Sequence, residues 1–214
     1  IMDILITDFI SGIDFGEVQS FKNLQIIPLF IEGEGSLEYL TLKEALEKRL
    51  LVIKEVSEEA SVPELKVINN ADVSVLLLDG EEVAGAKQNR VLNTSILVKK
   101  KSGLIIPVSC TEQGRWSYQS DEFSNSENIL SSKIRGKKAA SVSNSLREGG
   151  NYASDQGAIW DGIQELSVDA GVHSSTGAMK EVFEGRKDDL KEYMKTFQCL
   201  PHQKGMFVFV GGEV

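Results

Sequence analysis

The hydrophobic pattern changes character about halfway along the chain. Short apolar runs, each long enough for one strand, recur through the first half at 24–31, 51–56, 64–68, 72–78, 90–98 and 103–110. Runs of this length with turn residues between them are typical of a meandering antiparallel or mixed sheet, not of repeated strand–helix–strand units. Thr41 and Glu44 form a capping box among these runs, which predicts a short helix over 42–50.

In the second half of the chain, the apolar residues repeat with the period of a helix instead. Apolar residues recur there at three- and four-residue steps, which predicts helices over 132–148, 155–170 and 177–197. The Ser-rich residues 117–132 predict a long polar connection. A strand-like run followed by Gly211 and Gly212 ends the chain, and such a pattern normally opens a hairpin whose second arm is missing here. We therefore expect a domain that is truncated at its C-terminus.

These patterns predict one α+β domain over residues 1–214. The strand-rich N-terminal half forms an antiparallel or mixed sheet, and the helical C-terminal half packs on it. Asp79 and Gly80 predict a tight hairpin between the strands that flank them, because both residues tolerate positive φ angles. The Lys-rich residues 99–103 predict a second hairpin. A turn centred near residue 101 would bring residues around 91–95 opposite 107–111.

Composition narrows the possible functions. The formal net charge is −9, and because nucleic-acid binding depends on neutralising phosphates, general nucleic-acid binding is not expected. No apolar run approaches the roughly 20 residues of a membrane span, so no membrane partner is expected either. Cys110 and Cys199 lack a CxxC or histidine-spaced partner, which favours two free thiols in a cytoplasmic protein. Oligomeric state and cofactor stay unassigned.

The densest polar stretch, residues 79–94, follows one predicted strand and enters the next. Lys87 and Arg90 are donors suited to phosphate or carboxylate groups, and Glu81 is a candidate general base. The neutral amides of the stretch add donors and acceptors for a ligand, and they are Gln88, Asn89 and Asn93. A solvated turn with amides satisfying the loop backbone is the alternative interpretation. No P-loop, dinucleotide-binding or metal motif is present, so no metal ligands are predicted.

A second polar cluster follows the strand that ends at Cys110. Glu112 is the other candidate general base, while Arg115 and Trp116 are candidate ligand-binding residues. Cys110 is a nucleophile if a neighbouring cation lowers its pKa, and an inert buried residue otherwise. Glu112 and Arg115 can equally form a structural pair.

A third group lies at predicted helix starts, over 155–160 and 173–178. Gln156 is the candidate ligand-binding residue in this group. Free backbone amides at a helix start attract anions, although ordinary N-capping explains these residues as well.

Four segments carry a family resemblance: LLLDGEEVAGAKQNRVLNTSILV (76–98), IPVSCTEQGRW (106–116), SDQGAIWD (154–161) and SSTGAM (174–179). With them, the chain resembles the ARG-and-Rhodanese-Phosphatase-superfamily-associated protein family, from about Asp8 to the last residue. KQNR and EQGRW are the most specific parts. The family name records an association with ADP-ribosylglycohydrolases and rhodanese-phosphatase-type proteins, which implies ADP-ribose or nucleotide metabolism as the context. The resemblance implies no reaction and no catalytic role for any single residue.

Three functions compete on this evidence. The first is a site for a phosphorylated or ADP-ribose-like small molecule, in which cations bind phosphate, amides or carboxylates bind ribose, and an aromatic ring binds adenine. The second is a non-catalytic protein-interaction module that uses exposed tryptophans. The third is a structural polar network, whose members would be buried and satisfy one another. In each case Lys87, Gln88, Arg90, Glu112 and Arg115 are expected to converge.

Overall fold

The computed structural model describes residues 2–33, 37–57 and 63–212. Its helices are α1 (Met2–Ser11), α2 (Leu42–Glu47), α3 (Ser132–Arg147), α4 (Gln156–Ala170), α5 (Met179–Gly185) and α6 (Lys187–Thr196). Its strands are β1 (Ile13–Phe15), β2 (Gln19–Phe21), β3 (Leu24–Ile31), β4 (Tyr39–Thr41), β5 (Leu51–Glu55), β6 (Glu64–Asn69), β7 (Ser74–Leu77), β8 (Glu81–Gly85), β9 (Arg90–Leu92), β10 (Ile96–Val98), β11 (Ser102–Cys110), β12 (Phe123–Ile129) and β13 (Gly205–Val210). The predicted α+β class is confirmed.

The described residues fall into two compact units. The first combines the start of the chain, Ile1–Ser36, with its end, Arg186–Val214, and the second comprises Leu37–Gly185. All the candidate site residues lie in the second unit. The expectation of a single domain stays a prediction.

The first unit is a small antiparallel sheet with two helices, α1 and α6. Its central strand, β3, pairs antiparallel with β1, β2 and β13. Tyr193 of α6 packs edge-on against Phe21 of β2, with the ring centroids 5.0 Å apart. Within the described residues, no helix combines the length and the apolar character that crossing a bilayer would require.

The second unit contains two sheets. Six strands, in the order β12-β8-β9-β11-β6-β5, form an antiparallel sheet, and three more form the order β10-β7-β4. In the smaller sheet β4 runs parallel to β7 and β10 runs antiparallel to it. The predicted antiparallel or mixed arrangement is therefore confirmed.

The two faces of the six-stranded sheet contact different hydrophobic cores. The side chains of β9 show this, because they alternate between the two faces. Leu92 belongs to a core that includes α2 and the three-stranded sheet, whereas Val91 belongs to a core with α4 and α5. Since neighbouring strand residues point to opposite faces, Arg90 shares the face of Leu92. Glu82, paired with Val91, lies on the helical face.

Both predicted hairpins are wrong, because each turn carries the chain from one sheet to the other. β7 and β10 pair in the smaller sheet, while β8 and β11 belong to the larger one. The turn at Gly80 is held by other segments: its amide donates to the Leu92 carbonyl (3.1 Å) and its carbonyl accepts from the Leu130 amide (2.9 Å). The predicted strand over 90–98 is consequently broken at 93–95.

Two further elements differ from the sequence expectation. The polar connection over 117–132 contains β12, an edge strand that pairs with β8 and is anchored by the buried Phe123. Between Phe123 and the terminal Ile129 all its positions are polar, so periodicity did not indicate this strand. The helix predicted over 177–197 is two helices, α5 and α6, which belong to different units.

Lys138 anchors α3 to the sheet. Its side chain is fully buried, and its ammonium group donates to the Asp79 carboxylate and to the carbonyls of Leu92 and Asn93, both at 3.0 Å. Burial lowers the pKa of Lys138, while Asp79 acts in the opposite direction. One lysine thus connects a helix to the turn between the two sheets.

We expect Lys138→Met to destabilise the protein by about 3 kcal/mol, because the change removes the donor of the Asp79 carboxylate and the Asn93 carbonyl, and one of the two donors of the Leu92 carbonyl. Lys137→Met is the matched control, since Lys137 is half exposed and lies 3.9 Å from the exposed Glu165. Its effect should stay within about 0.5 kcal/mol. Urea unfolding of both variants measures the difference, and equal stabilities would contradict the anchoring role.

Candidate functional site

Two loops at the ends of β8 and β11 lie side by side in the second unit. The first runs from Gly85 to Asn89, and the second follows Cys110 as far as Arg115. The Thr111 amide donates to the Asn89 carbonyl at 3.1 Å. Gly85 has a φ of 134°, and a Cβ there would lie 2.5 Å from the Ser120 hydroxyl and 2.9 Å from the Glu122 carbonyl. Only glycine fits this close approach without a backbone shift.

Arg115 fastens the two loops to each other. Its Nη1 donates to the carbonyls of Ala86 (2.9 Å) and Ser117 (3.0 Å), and its Nη2 donates to Asn89 Oδ1 (3.1 Å). Its Nε donates to Glu112 Oε2 at 2.8 Å, and Nη2 approaches the same oxygen to 2.6 Å. Both side chains of this ion pair are more than nine-tenths buried. Arg115 therefore has no donor to spare for a ligand.

Glu112 is equally committed to the fold. Beyond Arg115, its Oε2 accepts from the Asn89 amide at 3.4 Å and its Oε1 accepts from the Thr176 hydroxyl at 3.0 Å. Its backbone carbonyl accepts from the Gln88 side chain at 2.8 Å. A carboxylate held in this way is a structural group, and the geometry does not favour its predicted role as a general base.

The other predicted amides form the same kind of network. Gln156 matches the Cys110 backbone in two directions, accepting from its amide (2.7 Å) and donating to its carbonyl (2.9 Å). Asn93 accepts from the Ser109 hydroxyl (2.6 Å) and donates to the Tyr152 carbonyl (3.0 Å). For these residues the structural-network interpretation fits the geometry.

Glu55 and Arg90 form a buried pair that differs from this network. Arg90 Nη2 lies 4.0 Å from Glu55 Oε1, and the two side chains are 0% and 5% exposed. Arg90 Nη1 donates to Gln88 Oε1 at 3.0 Å. Among the described residues, neither Glu55 oxygen forms a hydrogen bond of good geometry, and neither do Nε and Nη2 of Arg90. Buried polar atoms are nearly always satisfied in proteins, so this pair requires an explanation.

Burial raises the pKa of Glu55, while the Arg90 guanidinium and, less strongly, the nearby backbone amide of Lys87 oppose the rise. Burial likewise lowers the pKa of Arg90, with Cys110 and Glu55 acting in the opposite direction. The low polarity of the core thus disfavours both charges. Glu55 therefore takes up a proton at a higher pH than an ordinary glutamate does.

Cys110 is buried next to this pair. It lies directly opposite Arg90 across β11 and β9, and its thiol donates to Gln88 Oε1 at 3.1 Å. Burial raises the pKa of the Cys110 thiol in spite of Arg90, so the thiolate needed for nucleophilic attack is disfavoured. Both Cys110 and Cys199 are free thiols, as predicted.

Aromatic rings mark the outer part of the site. The Lys87 ammonium lies 5.4 Å from the centre of the Trp116 ring and 5.1 Å from that of Tyr118. Trp116 is 51% exposed and Tyr118 is 52% exposed. In this outer part of the site, Lys87 is thus partly exposed and Trp116 is exposed.

A cavity of about 670 Å³ adjoins Tyr118 and Glu55. Its lining consists of Lys54, Glu55, Val56, Ser57, Lys66, Tyr118 and Asp121. The Glu55 carboxylate turns inward from this wall towards Arg90. The cavity therefore lies between the buried pair and the exposed rings.

The predicted convergence is confirmed: hydrogen bonds connect Gln88, Arg90, Glu112 and Arg115, and Lys87 packs on the ring next to Arg115. The pairing differs from the expected one by two residues, since Val91 lies opposite Ser109 and Leu92 opposite Val108. The convergence thus arises from direct pairing of β9 with β11, not from a hairpin at 99–103.

Glu81 lies at the other end of β8 from these loops. Its Oε2 accepts from the Leu78 amide at 2.7 Å and so stabilises the turn before the strand. The structure does not bring this candidate general base into the cluster. Glu82, which the sequence suggests as a candidate general base or metal ligand together with Glu81, is fully buried on the helical face, where Thr111 (2.5 Å) and Asn128 (3.2 Å) donate to it.

Glu55 was missed by the sequence reasoning, although a signal for it exists. Leu51 and Ile53 are the buried positions of β5, and Glu55 continues their alternation. A charged side chain on the buried face of a strand is unusual and indicates a group whose burial needs a specific reason. Among the described residues, no group of three or more His, Cys, Asp or Glu side chains could hold a metal ion.

The raised pKa of Glu55 predicts a pH-dependent stability. Because the folded protein holds this proton more tightly than the unfolded chain, the contribution of Glu55 to the free energy of unfolding is complete below pH 4.5. It is lost as the pH rises through the folded-state pKa. Since Gln does not titrate, we expect the stability of Glu55→Gln relative to the wild type to rise between about pH 4 and pH 8. Urea unfolding across this range measures the change.

Glu44 provides a control of opposite sign. Hydrogen bonds from the backbone and then the side chain of Thr41 lower its pKa, so its contribution is present above pH 4.5 and is lost in acid. The relative stability of Glu44→Gln should therefore fall as the pH rises from strong acid to about 4.5 and stay level above that pH. A flat profile for Glu55→Gln would contradict burial as the cause of its raised pKa.

The comparisons with known proteins identify the family of the chain but no individual relative. No curated protein and no solved structure showed significant similarity to the chain. The model of the ARG and Rhodanese-Phosphatase-superfamily-associated Protein (ARPP-1) domain matches residues 12–214. That range contains both structural units apart from the first residues of the chain, and it includes the KQNR and EQGRW segments that form the two loops. The chain therefore belongs to the ARG and Rhodanese-Phosphatase-superfamily-associated Protein domain family.

Proposed function

We propose that the protein binds a phosphorylated small molecule of the nucleotide or ADP-ribose class in the cavity beside Glu55. The observation that carries this proposal is the buried Glu55–Arg90 pair, whose unsatisfied atoms lie behind the wall of that cavity. Leaving buried polar groups unsatisfied costs about 1–3 kcal/mol for each group. Sites that bind ligands retain such groups, whereas a purely structural network satisfies them.

Two lysines of the cavity supply the positive charge. Lys54 on β5 lies directly opposite Lys66 on β6, and both side chains are exposed. Like charges that face each other across a strand pair destabilise a sheet. An anion between the ammonium groups removes this repulsion, which favours a phosphate or pyrophosphate at this position.

Tyr118 supplies a flat surface next to these cations. It lines the cavity with half of its surface exposed, and it contacts the Lys87 ammonium, which in turn lies on Trp116. Exposed aromatic rings beside cations bind nucleobases by stacking. The combination of phosphate-binding cations and a stacking ring favours a nucleotide over inorganic phosphate.

Family membership supports the same class of ligand. The family name contains ARG, which as an abbreviation for ADP-ribosylglycohydrolase gives an ADP-ribose-related context. The proposed ligand-binding residues are revised accordingly, with Lys54, Lys66, Tyr118 and Glu55 added to Lys87 and Trp116. Gln88, Asn89, Asn93, Glu112, Arg115 and Gln156 support the site as its scaffold.

An alternative function is a protein-interaction module. The exposed Trp116 and Tyr118 favour it, because exposed aromatic side chains are common at the centres of protein interfaces. The concave cavity beside Tyr118 favours the small-molecule site over this alternative.

The first test concerns the two lysines. Lys54→Gln and Lys66→Gln should each weaken the binding of pyrophosphate and ADP-ribose about tenfold, because each removes a charge-assisted hydrogen bond. Their melting temperatures should stay the same or rise, since the like-charged pair is gone. Isothermal titration calorimetry and thermal melts measure the two effects. Lys100→Gln, at an exposed turn of the same unit, is the control and should bind as the wild type does. Binding of neither ligand to the wild type, or equal binding by all variants, would disprove the proposal.

The second test concerns the ring. Tyr118→Ala should weaken ADP-ribose binding about tenfold, because base stacking contributes roughly 1–3 kcal/mol, and it should leave pyrophosphate binding unchanged. Tyr152→Ala changes a comparably exposed ring elsewhere in the unit and serves as the control. Equal losses of both ligands would mean that the change disturbs the cavity as a whole. Unchanged ADP-ribose binding would exclude stacking on Tyr118 and favour the interaction module.

A further inference from the structure

The Glu55 carboxylate is the group that the fold accounts for least. It lies in the core at 5% exposure, with Arg90 4.0 Å away and no hydrogen bond of good geometry to either oxygen among the described residues. Turning this carboxylate from Arg90 towards the cavity would give up the ion pair with Arg90 and the weak interaction with the Lys87 amide, but no hydrogen bond of good geometry among the described residues. It would also relieve the burial that raises the pKa of Glu55. Arg90 would keep its hydrogen bond to Gln88.

A carboxylate at the cavity wall favours ligands that carry hydrogen-bond donors. An ionised carboxylate only accepts hydrogen bonds, so a phosphate is repelled there and binds instead at Lys54 and Lys66. Ammonium and guanidinium groups donate, but the same two lysines oppose a cationic ligand. The ligand that fits both halves of the cavity is an anion with neutral donors a short distance from its phosphate.

The two oxygens of one carboxylate accept best from two neighbouring donors. Adjacent hydroxyl groups on a sugar ring have this arrangement, and an acidic side chain that binds ribose hydroxyls is a recurring device of nucleotide sites. Asp121, on the same cavity, adds a second acceptor. The cavity, at about 670 Å³, has room for a sugar phosphate and not merely for one water molecule.

We propose that Glu55 turns into the cavity and binds the vicinal diol of a phosphorylated sugar, so that it determines specificity for ribose over deoxyribose ligands. This inference rests on the proposed function, because the phosphate of the same ligand occupies the Lys54–Lys66 position. Glu55 acts by binding, and no chemical step is assigned to it.

Matched pairs of ligands test the inference without any mutation. Calorimetry compares ADP with 2′,3′-dideoxy-ADP, and ribose 5-phosphate with 2-deoxyribose 5-phosphate, with pyrophosphate as the probe that has no sugar. The wild type should bind at least one diol-bearing ligand about tenfold or more tightly than its deoxy partner, since two hydrogen bonds to a charged group are lost. A preference in the ADP pair alone identifies a nucleotide site, and a preference in both pairs identifies a sugar-phosphate site.

Variants then assign the preference to Glu55. Glu55→Gln should reduce it at least about threefold, because an amide has one acceptor where a carboxylate has two, and it should leave pyrophosphate binding intact or stronger. Glu148→Gln, an exposed position after α3, is the matched control and should keep the wild-type preference. A thermal melt checks that each variant is folded.

The outcomes separate the two proposals. Tight pyrophosphate binding with no preference in either pair would overturn the diol site and leave the proposed function standing. A wild-type preference that persists in folded Glu55→Gln would overturn the assignment to Glu55. Binding of none of the probes would overturn both proposals together.

Discussion

The candidate site depends on the hydrogen bonds that the buried guanidinium group of Arg115 donates. This group donates to backbone carbonyls of the loop after β8, to Asn89, to the Ser117 carbonyl and to Glu112. These acceptors belong to segments that are separate in the sequence, and the shared donor holds those segments together. Because arginine has five donors in a rigid plane, one side chain can set the distance between the two loops. The position of Lys87 against the aromatic rings follows from it.

The polar residues of this region serve two physically different purposes. Those with every hydrogen bond satisfied, such as Glu112 and Gln156, replace a strand partner or close a loop, and their burial specifies one arrangement of the chain. Glu55 and Arg90 are buried to the same extent but leave atoms unsatisfied. The contrast matters because both groups consist of the same residue types. Satisfied hydrogen bonds, not residue identity, separate the scaffold from the proposed ligand-binding residues.

Regular elements could be predicted where local chemistry decides them. The capping box at Thr41 and Glu44 forms as expected, with hydrogen bonds in both directions, and β3 has the predicted bounds. Sheet membership could not be predicted, since it depends on which distant strands compete for an edge. Asp79 and Gly80 do form a turn, yet the strand that follows pairs with β9 and β12 instead of returning along β7.

For the site, the sequence by itself predicted that polar residues near 87–90 and 112–115 would converge, because both segments adjoin strands that were expected to pair. Those strands, β9 and β11, do pair, although not through a hairpin at 99–103. Only the tertiary structure decided which of them remain available. Whether a buried polar side chain is satisfied depends on partners such as Thr176 and Ala86, and no local pattern specifies those partners. The same holds for Glu55, whose neighbour Arg90 is distant in sequence and is brought within 4.0 Å only by the folded sheet, in which β11 and β6 lie between β9 and β5.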